Sequence, residues 1–180
     1  MLEHKFCQTE AGPGLVLREG CRLEGYASLF GLCDQGGDVV GPGAYSASLG
    51  RIAKRGGKVR MLWQHDPTRP IGLWEEVRED GRGLWVSGRL LTGVAQAHEA
   101  AVLLEAGAID GLSIGYRTIA AERDAKGRRV LREIDLWEVS LVTFPMLSEA
   151  RAVTKAEAEV AELAALAGFF EAARQALSTV

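Results

Sequence analysis

From Arg128 to Phe144 the chain reads RRVLREIDLWEVSLVTF, and Pro145 follows. The run is dense in β-branched and aromatic residues, which fit a pleated, half-buried surface. Proline has no N–H to give to a ladder, so the strand is expected to end there. Ahead of this run lies SIGYRTIAAERD, residues 113–124, joined to it by Ala125-Lys126-Gly127. Two strand-like arms about a glycine turn predict a long β-hairpin, which commits the chain to a sheet.

The remaining sequence extends that sheet. In Arg22–Leu32, Leu23, Gly25, Ala27 and Leu29 alternate with Glu24, Tyr26 and Ser28, a period of two. DQGGDVVGPGAY, residues 34–45, is rich in Gly and Pro and reads as an exposed loop, with a short helix at Ser46–Lys54. KVRMLWQHD alternates again, which puts Val59, Met61, Trp63 and His65 on one face of a strand. Residues 72–91 read as a second hairpin around Asp80-Gly81-Arg82-Gly83. Thr92 then precedes an Ala-, Leu- and Glu-rich helix that Gly107 stops. The expected class is α+β, mainly β, with a domain over residues 1–150 and an amphipathic helical tail over 151–180. In the tail, Thr154-Lys155-Ala156-Glu157 has capping-box spacing, and Val160, Leu163, Ala167, Phe170 and Leu177 form an apolar stripe. A helix packed on its own sheet and a helix offered to a partner both fit that stripe.

Composition narrows the function. The 180 residues are 47% hydrophobic and 25% charged with a net charge of −3, values of a folded chain rather than a disordered one. The basic run RIAKRGGKVR, residues 51–60, lacks interleaved aromatics, so no nucleic-acid partner is expected. Cys7, Cys21 and Cys33 are odd in number and widely spaced, and are read as reduced thiols. With only three scattered histidines, no zinc-type set can be assembled, and no cofactor is expected. No apolar run has the length of a signal core or a membrane span, so a cytosol-like setting without membrane contact is expected.

The stretch IDGLSIGY, residues 109–116, carries the pattern G-x-S-x-G. In the familiar hydrolase version a strand precedes the serine, a helix follows it, and an acid and a histidine come later in the chain. Here a helix precedes Ser113, a strand follows, and His4, His65 and His98 are all upstream, so an α/β-hydrolase is not expected. A nucleophilic serine needs a base near neutral pH. His65 is the best placed of the three, although a lone histidine on a strand face is more often just a satisfied core residue. A third group should be an acid in an apolar setting, and Glu138 interrupts such a run. A solvent-facing glutamate also fits there. Closing the hairpin with a two-residue loop pairs Ser113 with Glu138, whereas a bulge at Gly127 shifts the register by one and separates their faces.

Three segments taken together, EGYASLFGLCDQGGDVVGPGAYSASL, VRMLWQHDPTRPIGLW and GLSIGYRT with LWEVSLVTFPM, resemble in order and spacing the tailed-bacteriophage prohead (capsid maturation) serine proteases. The resemblance spans about residues 22–150. It implies a fold related to the herpesvirus assemblins, a closed β-barrel surrounded by helices. It also implies Ser113 as nucleophile, His65 as general base and Glu138 as third member. Assemblins use a histidine in that last place, and the loop after the strand reads Pro145-Met146-Leu147-Ser148 where an Ala-Asn-Pro-like turn is usual. The implied reaction is peptide hydrolysis inside a procapsid in the bacterial host. Its substrates would be scaffold segments of the major capsid protein and the protease itself, and self-association would fit that setting. A non-catalytic assembly or scaffold protein with the same fold and an esterase-type hydrolase are the rival readings.

Overall fold

The computed structural model describes residues 15–18, 21–147, 150 and 152–153. Cys7 and residues 154–180 of the expected helical tail lie outside these residues, and the start of that tail, Ala152–Val153, is a strand paired with Leu15–Val16 and not helix. Nine strands and two helices follow in order: β1 (Leu15–Arg18), β2 (Arg22–Leu29), β3 (Asp38–Val40), α1 (Ser46–Lys54), β4 (Arg60–Trp63), β5 (Asp66–Glu79), β6 (Gly83–Leu90), α2 (Ala95–Glu105), β7 (Gly111–Arg123), β8 (Arg129–Val142) and β9 (Ala152–Val153). The two anticipated hairpins are present as β5–β6 and β7–β8, and both helices fall where propensity put them. Three short strands were not foreseen: β1, β9, and β3 within the glycine-rich loop.

All nine strands belong to one sheet, with β8 as its hub. β7 pairs antiparallel along the whole of β8, so β3 and β4 must share its other edge. β3 runs parallel to Arg129–Leu131 and β4 parallel to Glu138–Leu141. The backbone donors between these two stretches are satisfied locally. Ile134 N–H reaches the Ala44 carbonyl at 3.0 Å, and Leu136 N–H reaches the Ser48 hydroxyl of α1 at 2.9 Å. A buried N–H without an acceptor costs about 1–3 kcal/mol, which makes α1 part of the sheet's bonding as well as its cover.

From β4 the order continues through β5, β6, β2 and β1 to β9. β2 and β7 are far apart in that order yet come into contact, because the sheet curls into a half-barrel around the core. Leu23, Met61, Ile71, Leu84, Leu112, Leu131, Ile134 and Leu141 are fully or almost fully buried in this core. α2 closes one side with Ala97, Ala100, Ala101 and Leu104, the i, i+3, i+4, i+7 stripe of an amphipathic helix. The Trp74 indole N–H of β5 donates to the Val139 carbonyl of β8 at 3.1 Å across the interior.

Two expectations about register change. The β7–β8 turn spans residues 124–128, with Asp124 N–H bonded to Arg128 O at 3.0 Å and Gly127 in the left-handed region at φ 78°. That adds one residue to the expected register. A second is added where Trp137 bulges out between the pairs Tyr116↔Leu136 and Gly115↔Glu138. The irregularity around Ala120 cancels itself. Ser113 therefore stands opposite Ser140 and not opposite Glu138. Because side chains alternate with a period of two, a slip of two residues leaves Ser113 and Glu138 on the same face.

Candidate active site

The strand β4 ends at Trp63, earlier than alternation implied, and Trp63 pairs with Asp66 across a two-residue turn made of Gln64 and His65. Both turn residues have positive φ, 52° and 61°. Left-handed geometry at two central positions is that of a type I′ hairpin turn, where Asn and Gly are the usual occupants. For residues carrying a Cβ it costs roughly 1–2 kcal/mol each. His65 is thus not on an apolar strand face; its side chain is 42% exposed on a strained turn.

Neighbouring groups hold that turn. Gln64 N–H bonds to Leu141 O at 2.9 Å, and the Gln64 amide and Thr143 clasp each other, with Nε2 donating to Thr143 Oγ1 at 2.8 Å and Thr143 N–H donating to Oε1 at 3.3 Å. His65 N–H donates to the Ser140 hydroxyl at 3.1 Å. Strain in one small segment, fixed by so many bonds, is the usual mark of a functional element.

Along this part of β8, Val139 and Leu141 face the core, and Glu138 and Ser140 share the opposite face. β7 repeats the arrangement: Leu112 and Ile114 turn toward the core, while Ser113 and Gly115 meet Ser140 and Glu138. Glu138 is nearly buried, and an uncompensated carboxylate there would be costly. Its Oε1 lies 2.6 Å from His65 Nδ1, and its Oε2 accepts the Ser140 O–H at 2.5 Å. A proton on Nδ1, donated to the carboxylate, leaves Nε2 of the neutral ring free to accept one.

Gly115 makes this pair possible. A Cβ at that position would coincide with the Glu138 carboxylate, which lies directly over the glycine backbone. The first glycine of the pattern, Gly111, is equally crowded, since a Cβ there would approach Pro145 Cδ and Val142 O to 2.7 Å. Both glycines are therefore required by close packing between β7 and β8, not by a strand-to-helix elbow around the serine.

Of the three anticipated residues, the structure joins His65 to Glu138 directly. Ser113 comes onto the same face, 4% exposed, beside the Ser140 that binds both. Ser113 and His65 make no hydrogen bond with each other; such contacts are often loose before substrate binds. His98 is exposed on α2, and His4 lies outside the described residues. Sequence reasoning missed Ser140, Gly115 and the Gln64–Thr143 clasp, although Ser140 at two residues from Glu138 was bound to share its face.

Ser113 also lines a cleft of about 180 Å³ where β2 and β7 approach. Leu32, Val40, Ile114 and Met146 form apolar walls, and Asp34, Asp38 and Tyr116 form a polar end. Burial, reinforced by the charges of Asp38 and Asp34, raises the Tyr116 hydroxyl to about 12, so it stays neutral and donates to Asp38 at 3.4 Å. Among the described residues no cluster of three or more His, Cys, Asp or Glu side chains is arranged to hold a metal ion. No described helix is long and apolar enough to cross a membrane.

Known proteins resemble this chain in sequence and in fold. The chain is 35% identical over 136 residues to the prohead protease of Enterobacteria phage HK97, a match covering 71% of this chain and 57% of that protein. The chain thus spans somewhat more than half the length of that relative. Its fold is similar to that of the bacteriophage T4 capsid assembly protease, with a TM-score of 0.54 at 15% identity, over 74% of this chain and 92% of that one. Residues 16–164 match the family model of the caudovirus prohead serine proteases, and the chain belongs to that family.

Proposed function

We propose that this chain is a serine endopeptidase of phage capsid maturation, with Ser113 as nucleophile, His65 as general base and Glu138 as the acid that orients it. The observation that carries this reading is the His65–Glu138 contact of 2.6 Å, held on the strand face that also presents Ser113. Ser113 Oγ attacks the scissile carbonyl carbon while His65 Nε2 takes its proton. Glu138 keeps the ring in the productive tautomer and offsets the imidazolium charge. The tetrahedral intermediate collapses as His65 returns the proton to the leaving amine, giving an acyl-enzyme. Water, deprotonated by the same imidazole, then releases the acid and restores Ser113. The cleft beside Ser113 takes the substrate chain, its apolar walls covering a side chain next to the scissile bond.

The proposed substrates are the scaffold segment of the major capsid protein and the protease itself, within the procapsid in the host cell. In this reading the half-barrel forms part of an assemblin-like closed barrel. The test is co-expression with the capsid protein of the same phage or prophage, followed by mass spectrometry of both chains. Truncated capsid subunits should appear with the native protein and vanish with Ser113→Ala. An intact capsid chain in both cases would favour a non-catalytic assembly role.

A further inference from the structure

We propose that Ser140 is a positioning residue that sets the acid and the base of the site at once through a single hydroxyl. The inference rests on the endopeptidase reading above and adds a fourth group to it. Ser140 is completely buried, on the central strand β8, between Ser113 on β7 and the Gln64–His65 turn that follows β4. A serine hydroxyl has one proton to give and lone pairs to receive. Here the proton goes to Glu138 Oε2 at 2.5 Å, and a lone pair receives His65 N–H at 3.1 Å.

Each bond fixes a different degree of freedom. The Glu138 carboxylate has two oxygens, and only His65 and Ser140 donate to it among the described residues. With Oε2 anchored, Oε1 is held toward Nδ1; without the anchor, a nearly buried oxygen loses its donor and the side chain gains a reason to rotate toward water. The second bond ties the backbone of His65 itself, in a turn whose left-handed geometry is strained and needs such tethers. One hydroxyl thus fixes both ends of the 2.6 Å contact. Ser140 touches no reacting atom in this arrangement and acts only through Glu138 and His65.

Steady-state kinetics of the full chain on a peptide spanning the capsid cleavage site test the idea. Ser140→Ala should lower kcat about 10²-fold, the usual cost of misplacing a catalytic group by about 1 Å. KM should stay within about twofold, since the cleft wall is untouched. Ser140→Cys is nearly isosteric but a weak donor, and should be as poor as the alanine variant; Ser140→Thr, which keeps the hydroxyl, should recover most of kcat. Thermal unfolding of each variant separates these effects from loss of folded protein. Wild-type kcat in folded Ser140→Ala, or full recovery in Ser140→Cys, would overturn the proposal. Ser113→Ala run in parallel isolates the underlying reading: if that variant still cleaves, the nucleophile assignment fails and not the role of Ser140.

Discussion

Two hairpin turns in this molecule solve the same geometric problem in opposite ways. The β5–β6 turn at Asp80–Gly83 has no left-handed residue and is saturated with bonds. Asp80 Oδ1 accepts Arg82 N–H at 2.8 Å and Gly83 N–H at 3.2 Å, and Oδ2 accepts the Tyr26 hydroxyl at 2.8 Å and Arg78 at 2.7 Å. The β4–β5 turn places Gln64 and His65 where glycine would be easier, and borrows its tethers from β8. The first turn is built for stability. The second accepts strain so that an imidazole can stand over Glu138.

The largest effects should come from the strained side of this comparison. Ser113→Ala and His65→Ala should each lower cleavage about 10³-fold or more while the circular dichroism spectrum and Tm stay close to native. Near-native turnover by folded His65→Ala would move the base elsewhere. Gly115→Ala should come next. The added methyl displaces the Glu138 carboxylate, so kcat falls by about 10²-fold, and a crystal structure should show the acid rotated away from His65.

Stability changes should run the other way in the two turns. Replacing Gln64 by Asn and His65 by Gly relieves two left-handed side-chain positions and should stabilise the protein by roughly 1–2 kcal/mol while abolishing cleavage. A drop in Tm would show that the tethers outweigh the strain. Asp80→Asn should do the reverse: activity is retained, and stability at neutral pH falls by about 1–2 kcal/mol. Burial of Asp80 would raise its pKa, but hydrogen bonds from Arg82 N–H, Tyr26, Gly83 N–H and Arg78 prevail and hold it down to about 2. A depressed carboxylate contributes stability above its ordinary value near 3.8 and loses it as pH falls through about 2. The Asp80→Asn deficit should therefore shrink across that window in chemical denaturation, and a deficit constant down to pH 2 would assign it to packing instead.

What the sequence disclosed follows the same division. Period-two runs such as Arg22–Leu29 and the arms around Asp80–Gly83 rest on local preferences, and the structure keeps them as strands, although β5 begins earlier, at Asp66, and bulges interrupt the pairings at Ala27 and Glu75. The family resemblance singles out His65 as the proposed base, yet alternation places it wrongly on a strand face. The reason is that a non-glycine type I′ turn is locally unfavourable and exists only because Leu141, Ser140 and Thr143 hold it. Glu138 was legible as an acid in apolar surroundings. Its register was not, because the turn at Gly127 and the bulge at Trp137 each add a residue, and the backbone near that bulge answers to Ser48 on a distant helix. β3 was hidden among glycines, and its pairing depends on β8, as Asp38 with Arg129, far along the chain.

The paired irregularities in the β7–β8 hairpin also make the site sensitive to parity. Between Ser113 and Glu138 only an even number of surplus residues keeps the two side chains on one side of the sheet. A single insertion or deletion in the paired residues 114–116 or 136–137 should therefore silence the protein unless a compensating second one restores the register, whereas an extra residue at the exposed turn tip, 124–128, should be absorbed by a longer loop. Homologous hairpins are expected to vary freely in length at that tip, and close to Ser113 and Glu138 only in steps of two or with a bulge that makes up the odd residue.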